Sequence, residues 1–231
     1  MRSEPEKHAE PDDATAQSFA ESWDRLATDA YMQPGDEYRQ RRYARFSIDR
    51  GGSLTRLPHR AFTQSSTINS YAGDRPREFE PMEEAVCASP LFEYLVRREA
   101  LALAGHHLGG ANAWHIDVHQ VRTIATGQHE GRPSPEGPHR DGMLAVSVVL
   151  IDRANVTGGE TILLDSSMVP LDRFSLVEQF ESYTVLDERV LHDVTPVQVQ
   201  PGETQGTRDT LLLGFRPYTP DLDESGYAYG G

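Results

Sequence analysis

From Trp114 to Phe215 the chain is a succession of short β-rich runs: WHIDVHQVRTIA, MLAVSVVLID, TILLD, SYTVL, VTPVQV and TRDTLLLGF. Turn residues such as Gly158-Gly159 and Pro201-Gly202 separate them. Runs of strand length at this spacing close into a sandwich or a barrel. Gly158-Gly159 reads as a hairpin turn rather than a phosphate cradle, because no helix start follows it. Helical signals lie upstream. Phe19, Trp23, Leu26, Ala27 and Ala30 recur at helical spacing until Pro34-Gly35 stops them. Ser89-Pro90 offers an N-cap and a first-position proline ahead of LFEYLVRREALALA, with Gly105 as terminator. Between the two helices Ala44, Phe46 and Ile48 alternate and Gly51-Gly52 supplies a tight turn, so strands are expected within 41–63. The fold class is mostly β with flanking α, a barrel with N-terminal helices on one face.

A chain of 231 residues suits one domain of this kind. Residues 1–14 are charged and poor in anything to bury, so they and the acidic stretch Glu10 to Asp13 are expected to form a solvated, disordered tail. The domain is expected over 15–220, with a flexible tail at 221–231. Thirty-six acidic residues against 22 Lys plus Arg leave a formal charge of −14, which repels a phosphate backbone and excludes nucleic acid as a partner. The single cysteine, Cys87, has no thiol partner and fits a reducing compartment as a small buried hydrophobe. No apolar run is long enough for a membrane span, and MRSEPEKHAEPDD lacks the apolar stretch of a signal peptide, so a cytoplasmic protein is expected.

The chemistry concentrates in PSPEGPHRDGM. His139 and Asp141 are two apart between a Pro/Gly-rich loop and a strand, and on an extended backbone both side chains project from one face. Gly142 allows close approach to the backbone there. His192, in VLHDVTP at the edge of a later strand, supplies a third ligand. Two histidines and one carboxylate leave metal positions open, an arrangement associated with non-haem iron(II) oxygenases.

A competing set, His115, Asp117 and His119, shares one face of WHIDVHQVR, while Trp114, Ile116, Val118, Gln120 and Arg122 share the other. No glycine follows Asp117 and no Pro/Gly loop precedes His115. The polar set is therefore assigned to a solvated or helix-covered face, and the second face to the barrel interior. Gln120 and Arg122 then become the candidates for substrate contact, Arg122 for a substrate carboxylate.

The run from Trp114 to Pro217, with PEGPHRDG, HQVR before it and GGET after it, resembles the catalytic jelly-roll of the iron(II)/2-oxoglutarate-dependent dioxygenases. The wording is similar to that of a bacterial branch that includes free L-amino acid hydroxylases. The resemblance implies a double-stranded β-helix, iron(II) held by His139, Asp141 and His192, 2-oxoglutarate as co-substrate, O2 as oxidant, and succinate and CO2 as products. It further implies a basic residue after the second histidine for the distal carboxylate of 2-oxoglutarate, often with a hydroxyl two residues on. Arg208 and Thr210 match, since a guanidinium fork grips a carboxylate through two parallel bonds. Arg216 lies on the same face by parity, at the far end of the strand. Related halogenases lack the carboxylate, so Asp141 points to hydroxylation. The expected partner is a small molecule, a free amino acid by the resemblance, with no nucleic acid or membrane and at most a second copy of the chain as a homodimer. The alternative is a cupin-like barrel that binds a metal or small ligand without turnover, for which a carboxylate clamp has no use.

Overall fold

The computed structural model describes residues 2–3, 12–66, 68, 73–104 and 113–218. The expected tail at 221–231 and Gly105 as helix terminator lie outside the described residues. The strands are β1 (Arg2–Ser3), β2 (Ala27–Thr28), β3 (Arg39–Asp49), β4 (Leu54–Arg56), β5 (Ala113–Thr126), β6 (Ala145–Ala154), β7 (Val156–Gly158), β8 (Thr161–Leu164), β9 (Pro170–Phe174), β10 (Ser182–Leu186), β11 (Leu191–Val194), β12 (Val197–Val199) and β13 (Gln205–Pro217). The helices are α1 (Asp13–Ala20), α2 (Glu84–Cys87) and α3 (Pro90–Ala104), with a 3-10 turn at Glu21–Arg25.

An eight-stranded sheet runs β1-β10-β6-β13-β5-β3-β2, with β4 also paired to β3. Two small sheets, β11-β8-β9 and β12-β7, complete a jelly-roll. Bridges His139 to His192 and Gly131 to Val197 add the loop before β6 to the small sheets. Gly158-Gly159 is not a hairpin. β7 pairs with β12 while β8 pairs with β11 and β9, so the glycines carry the chain from one strand pair to the next. A Cβ at Gly158 would meet the Pro196 carbonyl oxygen at 2.2 Å, so this crossing requires glycine.

The N-terminal segment departs from the expected pattern. The Asp12 carboxylate accepts the Thr15 N–H at 2.8 Å and caps α1, so ordered structure begins inside the expected tail. Arg2–Ser3 pair with β10 at the sheet edge. The helix also ends early. Ser22 Oγ donates to the Phe19 carbonyl, the chain tightens into a 3-10 turn, and Leu26 is already extended before Ala27–Thr28 pair with β3. Trp23, fully buried, donates its indole N–H to the Val121 carbonyl at 3.2 Å and holds this segment on β5. The second helix forms as its signals predict, with Pro90 as its first residue.

Strand faces are the reverse of those expected. Trp114, Ile116 and Val118 of β5 join Ala44, Phe46 and Ile48 of β3 and Leu211, Leu213 and Phe215 of β13 in a core with Phe19, Trp23, Phe92, Leu95 and Val96 of the helical layer. This apolar face lies outside the barrel, beneath the helices. Gln120 therefore does not line the cavity, and its Nε2 donates to Ser22 Oγ at 3.0 Å. Arg122 is on that side as well, donating to both oxygens of buried Asp209 at 2.8 and 2.7 Å and to Asp24 at 2.7 Å. Burial of a carboxylate such as Asp209 is tolerable only while its cation is present. Arg122→Ala is expected to lower the unfolding free energy by about 3 kcal/mol in urea titration, with part of the loss recovered when Asp209→Ala is added. An unchanged midpoint in the single variant would contradict this placement.

Candidate metal centre

His139 and His192 meet through the backbone before their side chains are considered. The His139 N–H donates to the His192 carbonyl at 3.1 Å and the His192 N–H returns the bond at 2.9 Å. Directly opposed residues of an antiparallel pair place their side chains together, and the ring centroids are 4.4 Å apart. Asp141, two residues on, brings Oδ2 to 3.3 Å from His192 Nε2 and Oδ1 to 3.8 Å from His139 Nε2. One ligand atom from each of the three lies within 4.8 Å of the others.

Neighbouring groups set the orientation of these side chains. His139 Nδ1 is 2.8 Å from the Gly137 carbonyl oxygen, so its N–H donates there and the Nε2 lone pair is left for a cation. Asp187, which the sequence reading missed, is buried beneath the loop. Its carboxylate accepts N–H groups from Asp141, Gly142 and Met143 at 2.8–3.0 Å. Gly142 takes a φ of +76°, the conformation in which these donors converge. The only signal for Asp187 in the sequence was an acidic residue five positions before His192, which is too common to single out.

Electrostatically the site favours a cation. Burial opposes charge on Asp141, but His192 and His139 outweigh it and hold the carboxyl well below its usual range. Burial likewise opposes the charged form of His192, yet Asp141 and Asp187 raise its pKa. Burial and the charge of Asp141 together push Asp187 up. A metal ion between the imidazoles and Asp141 would relieve this crowding of negative charge.

The cavity inside the barrel reaches Arg208 and Thr210. Arg208 is 3% exposed, and its Nε and Nη2 have no hydrogen-bond partner. Burial lowers its pKa to about 10, so it remains charged at neutral pH. Gly159 leaves room for its stem, since a Cβ there would stand 3.2 Å from Arg208 Cδ. A buried guanidinium with open donors is costly unless an anion fills the place. The distal carboxylate of 2-oxoglutarate fits it. Arg216, by contrast, lies with its Nε 3.7 Å from Asp117 Oδ2.

Asp117 and His119 also line the cavity, contrary to the outward orientation expected for them. The Tyr43 hydroxyl and His115 engage Asp117. His119 stacks on Tyr43 at 4.6 Å, and burial followed by the charge of Arg41 drives its pKa well below the usual value, so it stays neutral. Among the described residues only His139, Asp141 and His192 come together as a set of three metal ligands.

Comparison with known proteins gives the same direction. The model of the 2OG-Fe dioxygenase family matches residues 20–214. A 3(1)-hydroxy-L-isoleucine 4-dioxygenase from Pantoea ananatis is 28% identical over 202 residues, 87% of this chain and 80% of that protein. An L-isoleucine-4-hydroxylase from Bacillus thuringiensis is 29% identical over 156 residues, 67% of this chain and 64% of that protein. The crystal structure of a bsmA homologue from Methylobium petroleophilum PM1 superposes with a TM-score of 0.79 at 32% identity, covering 88% of this chain and 81% of that one. These matches set aside the non-catalytic barrel. The chain belongs to the 2OG-Fe dioxygenase family and is a 2-oxoglutarate-dependent oxygenase that works with iron(II), 2-oxoglutarate and O2.

Proposed function

We propose that this oxygenase hydroxylates an unactivated carbon of a small free L-amino acid and releases succinate and CO2. The observation that carries the reading is the joint presence, in one cavity, of the His139–Asp141–His192 cluster and the unpartnered guanidinium of Arg208. The names of the two curated relatives favour an amino acid as substrate. Iron with 2-oxoglutarate would supply the oxidising power, splitting O2 between succinate and the new hydroxyl group.

The chain's own residues position and shield the reactants. His139, Asp141 and His192 would hold the metal from one side, leaving the cavity side for ligands. Arg208 would grip the distal carboxylate of 2-oxoglutarate with Thr210 beside it, fixing which end of the co-substrate faces the metal. Met143, Val146, Val148 and Leu212 make that part of the wall apolar, which keeps water from the reacting carbon. Asp187 acts one step back, since without it three N–H groups lose their acceptor and the turn bearing Asp141 is released.

Anaerobic addition of iron(II) and 2-oxoglutarate is expected to give a visible metal-to-ligand charge-transfer band. A panel of free amino acids, peptides and carrier-tethered aminoacyl groups, with succinate and product measured together, tests the substrate class. Product only from tethered or peptidyl substrates would overturn the free amino acid. His139→Ala, Asp141→Ala and His192→Ala should each remove the band and turnover. Asp187→Ala should fold and bind iron about 10- to 100-fold more weakly, as loss of a group supporting a ligand does. Arg208→Ala should raise the 2-oxoglutarate concentration needed for the band while leaving iron affinity unchanged, and Arg208→Lys should recover part of the loss. If Arg216→Ala instead produced that effect, the clamp would move to Arg216.

A further inference from the structure

The cavity holds more positive charge than 2-oxoglutarate accounts for. Arg39 and Arg41 lie two apart on β3 and therefore on one face, and Arg77 approaches from the segment before α2. All three line the cavity and none is more than 9% exposed. One buried carboxylate, Asp29, stands against them. It is 2.8 Å from Arg39 Nε and 3.6 Å from Arg41 Nε, so Arg39 is matched and Arg41 only loosely so. Among the described residues Arg77 has no carboxylate within 4 Å; it donates to Gln64 Oε1 and lies over the rings of Phe62 and Phe79 at 4.9 and 5.6 Å. The Nε atoms of Arg41 and Arg77 have no hydrogen-bond partner.

The other carboxylates on the cavity wall make their close contacts elsewhere, and Glu136 and Asp141 reach Arg77 only as longer-range attractions. Asp141 faces the two imidazoles, Asp117 accepts the Tyr43 hydroxyl, and Glu136 has Oε1 3.7 Å from His139 Nε2. Aromatic faces and an amide offset part of the cost of a buried guanidinium, but they do not neutralise it. The cluster is therefore complementary to an anion that arrives with a ligand. Its position is set by Gln64, whose Nε2 donates to the Asp141 carbonyl at 3.0 Å while its Oε1 receives Arg77. A carboxylate resting on Arg77 is thus one amide removed from the loop that carries Asp141. Arg208 already answers the distal carboxylate of 2-oxoglutarate, and the metal would take the other end.

We infer that Arg77, with Arg41 beside it, holds the carboxylate of the substrate itself, so that the site selects free carboxylic acids over their amides and esters. This rests on the reading of the enzyme as a hydroxylase of free amino acids, and it gives Arg77 the role that the sequence had suggested for Arg122.

The test uses full-length enzyme loaded anaerobically with iron(II) and 2-oxoglutarate, with ligand binding read as a perturbation of the charge-transfer band. The probes are the proteinogenic L-amino acids, their carboxamides and the matching carboxylic acids without the amine. In the wild type, free carboxylates should perturb the band and carboxamides should not. Arg77→Gln should weaken the effective ligands about 10- to 100-fold, the loss expected for a charge-assisted pair. Arg77→Lys should recover part of that, and Arg41→Gln should give a smaller loss. The band itself, formed at an unchanged 2-oxoglutarate concentration, reports that each variant is folded and that the co-substrate site is intact. The inference is overturned if Arg77→Gln leaves amino acid binding unchanged, if its loss falls on 2-oxoglutarate instead, or if no free carboxylate binds the wild type. Carboxylates held through Arg77 with no amino acid hydroxylated would overturn the amino acid reading and leave the clamp standing.

Discussion

A sheet must bury one face against something, and here the large sheet does so on the outside of the barrel. Trp23, Phe92, Leu95 and Val96 cover the apolar rows of β3, β5, β6 and β13. That choice leaves the inner face with a smaller apolar cluster that includes Tyr43, Val146, Val148 and Tyr183, beside which Arg39, Arg41, His119, Thr123 and Arg208 line a shared cavity. The helical layer is thus a condition of the chemistry although it contributes no residue to the metal cluster. Glu99 shows how firmly the layer is attached. It is fully buried on α3 and accepts hydroxyl protons from Ser182 and Thr184 of β10 at 2.9 and 3.0 Å, with Arg98 as its cation. A carboxylate so placed is satisfied in one docking position of the helix and stranded in others.

Within the barrel, a different kind of constraint assembles the metal cluster. The reciprocal backbone bonds between His139 and His192 bring two imidazoles together from residues far apart in the chain. The Asp187 carboxylate then turns the chain after His139 so that Asp141 completes the set. Main-chain geometry fixes the positions, and side-chain rotamers need only fill them. This division suits an enzyme that must bind a metal firmly on one side and leave the other open.

The barrel class, the long helix at Pro90 and the convergence of His139, Asp141 and His192 were legible in the sequence because each rests on local pattern or on a short motif. The side of β5 that faces the cavity was not. Alternation separates the two faces of a strand but carries no label for inside and outside, and here the apolar face went to the helices. Gln120 and Arg122 were expected on the inside for that reason, and they lie on the helical side. Asp187, Gln64 and Arg77 were invisible for another, since each acts through partners distant in sequence, and an acidic residue, an amide and an arginine in loops are unremarkable until those partners are seen. The N-terminal helix was read too long because helical spacing continued past Ser22 while strand pairing at Ala27–Thr28 took over.

Arg208 and Arg77 keep open donors in a buried cavity, and this has a thermodynamic consequence for the folded state. Guanidinium donors buried without hydrogen-bond partners raise the free energy of the native state relative to the unfolded chain, in which each is hydrated. Ligands that bind only the native state reverse this by mass action, at about 2.7 kcal/mol for a ligand present at one hundred times its dissociation constant. On the roles proposed for Arg208 and Arg77, the abundance of the folded enzyme is tied to the supply of its small-molecule anions, and the protein's persistence responds to metabolite concentration.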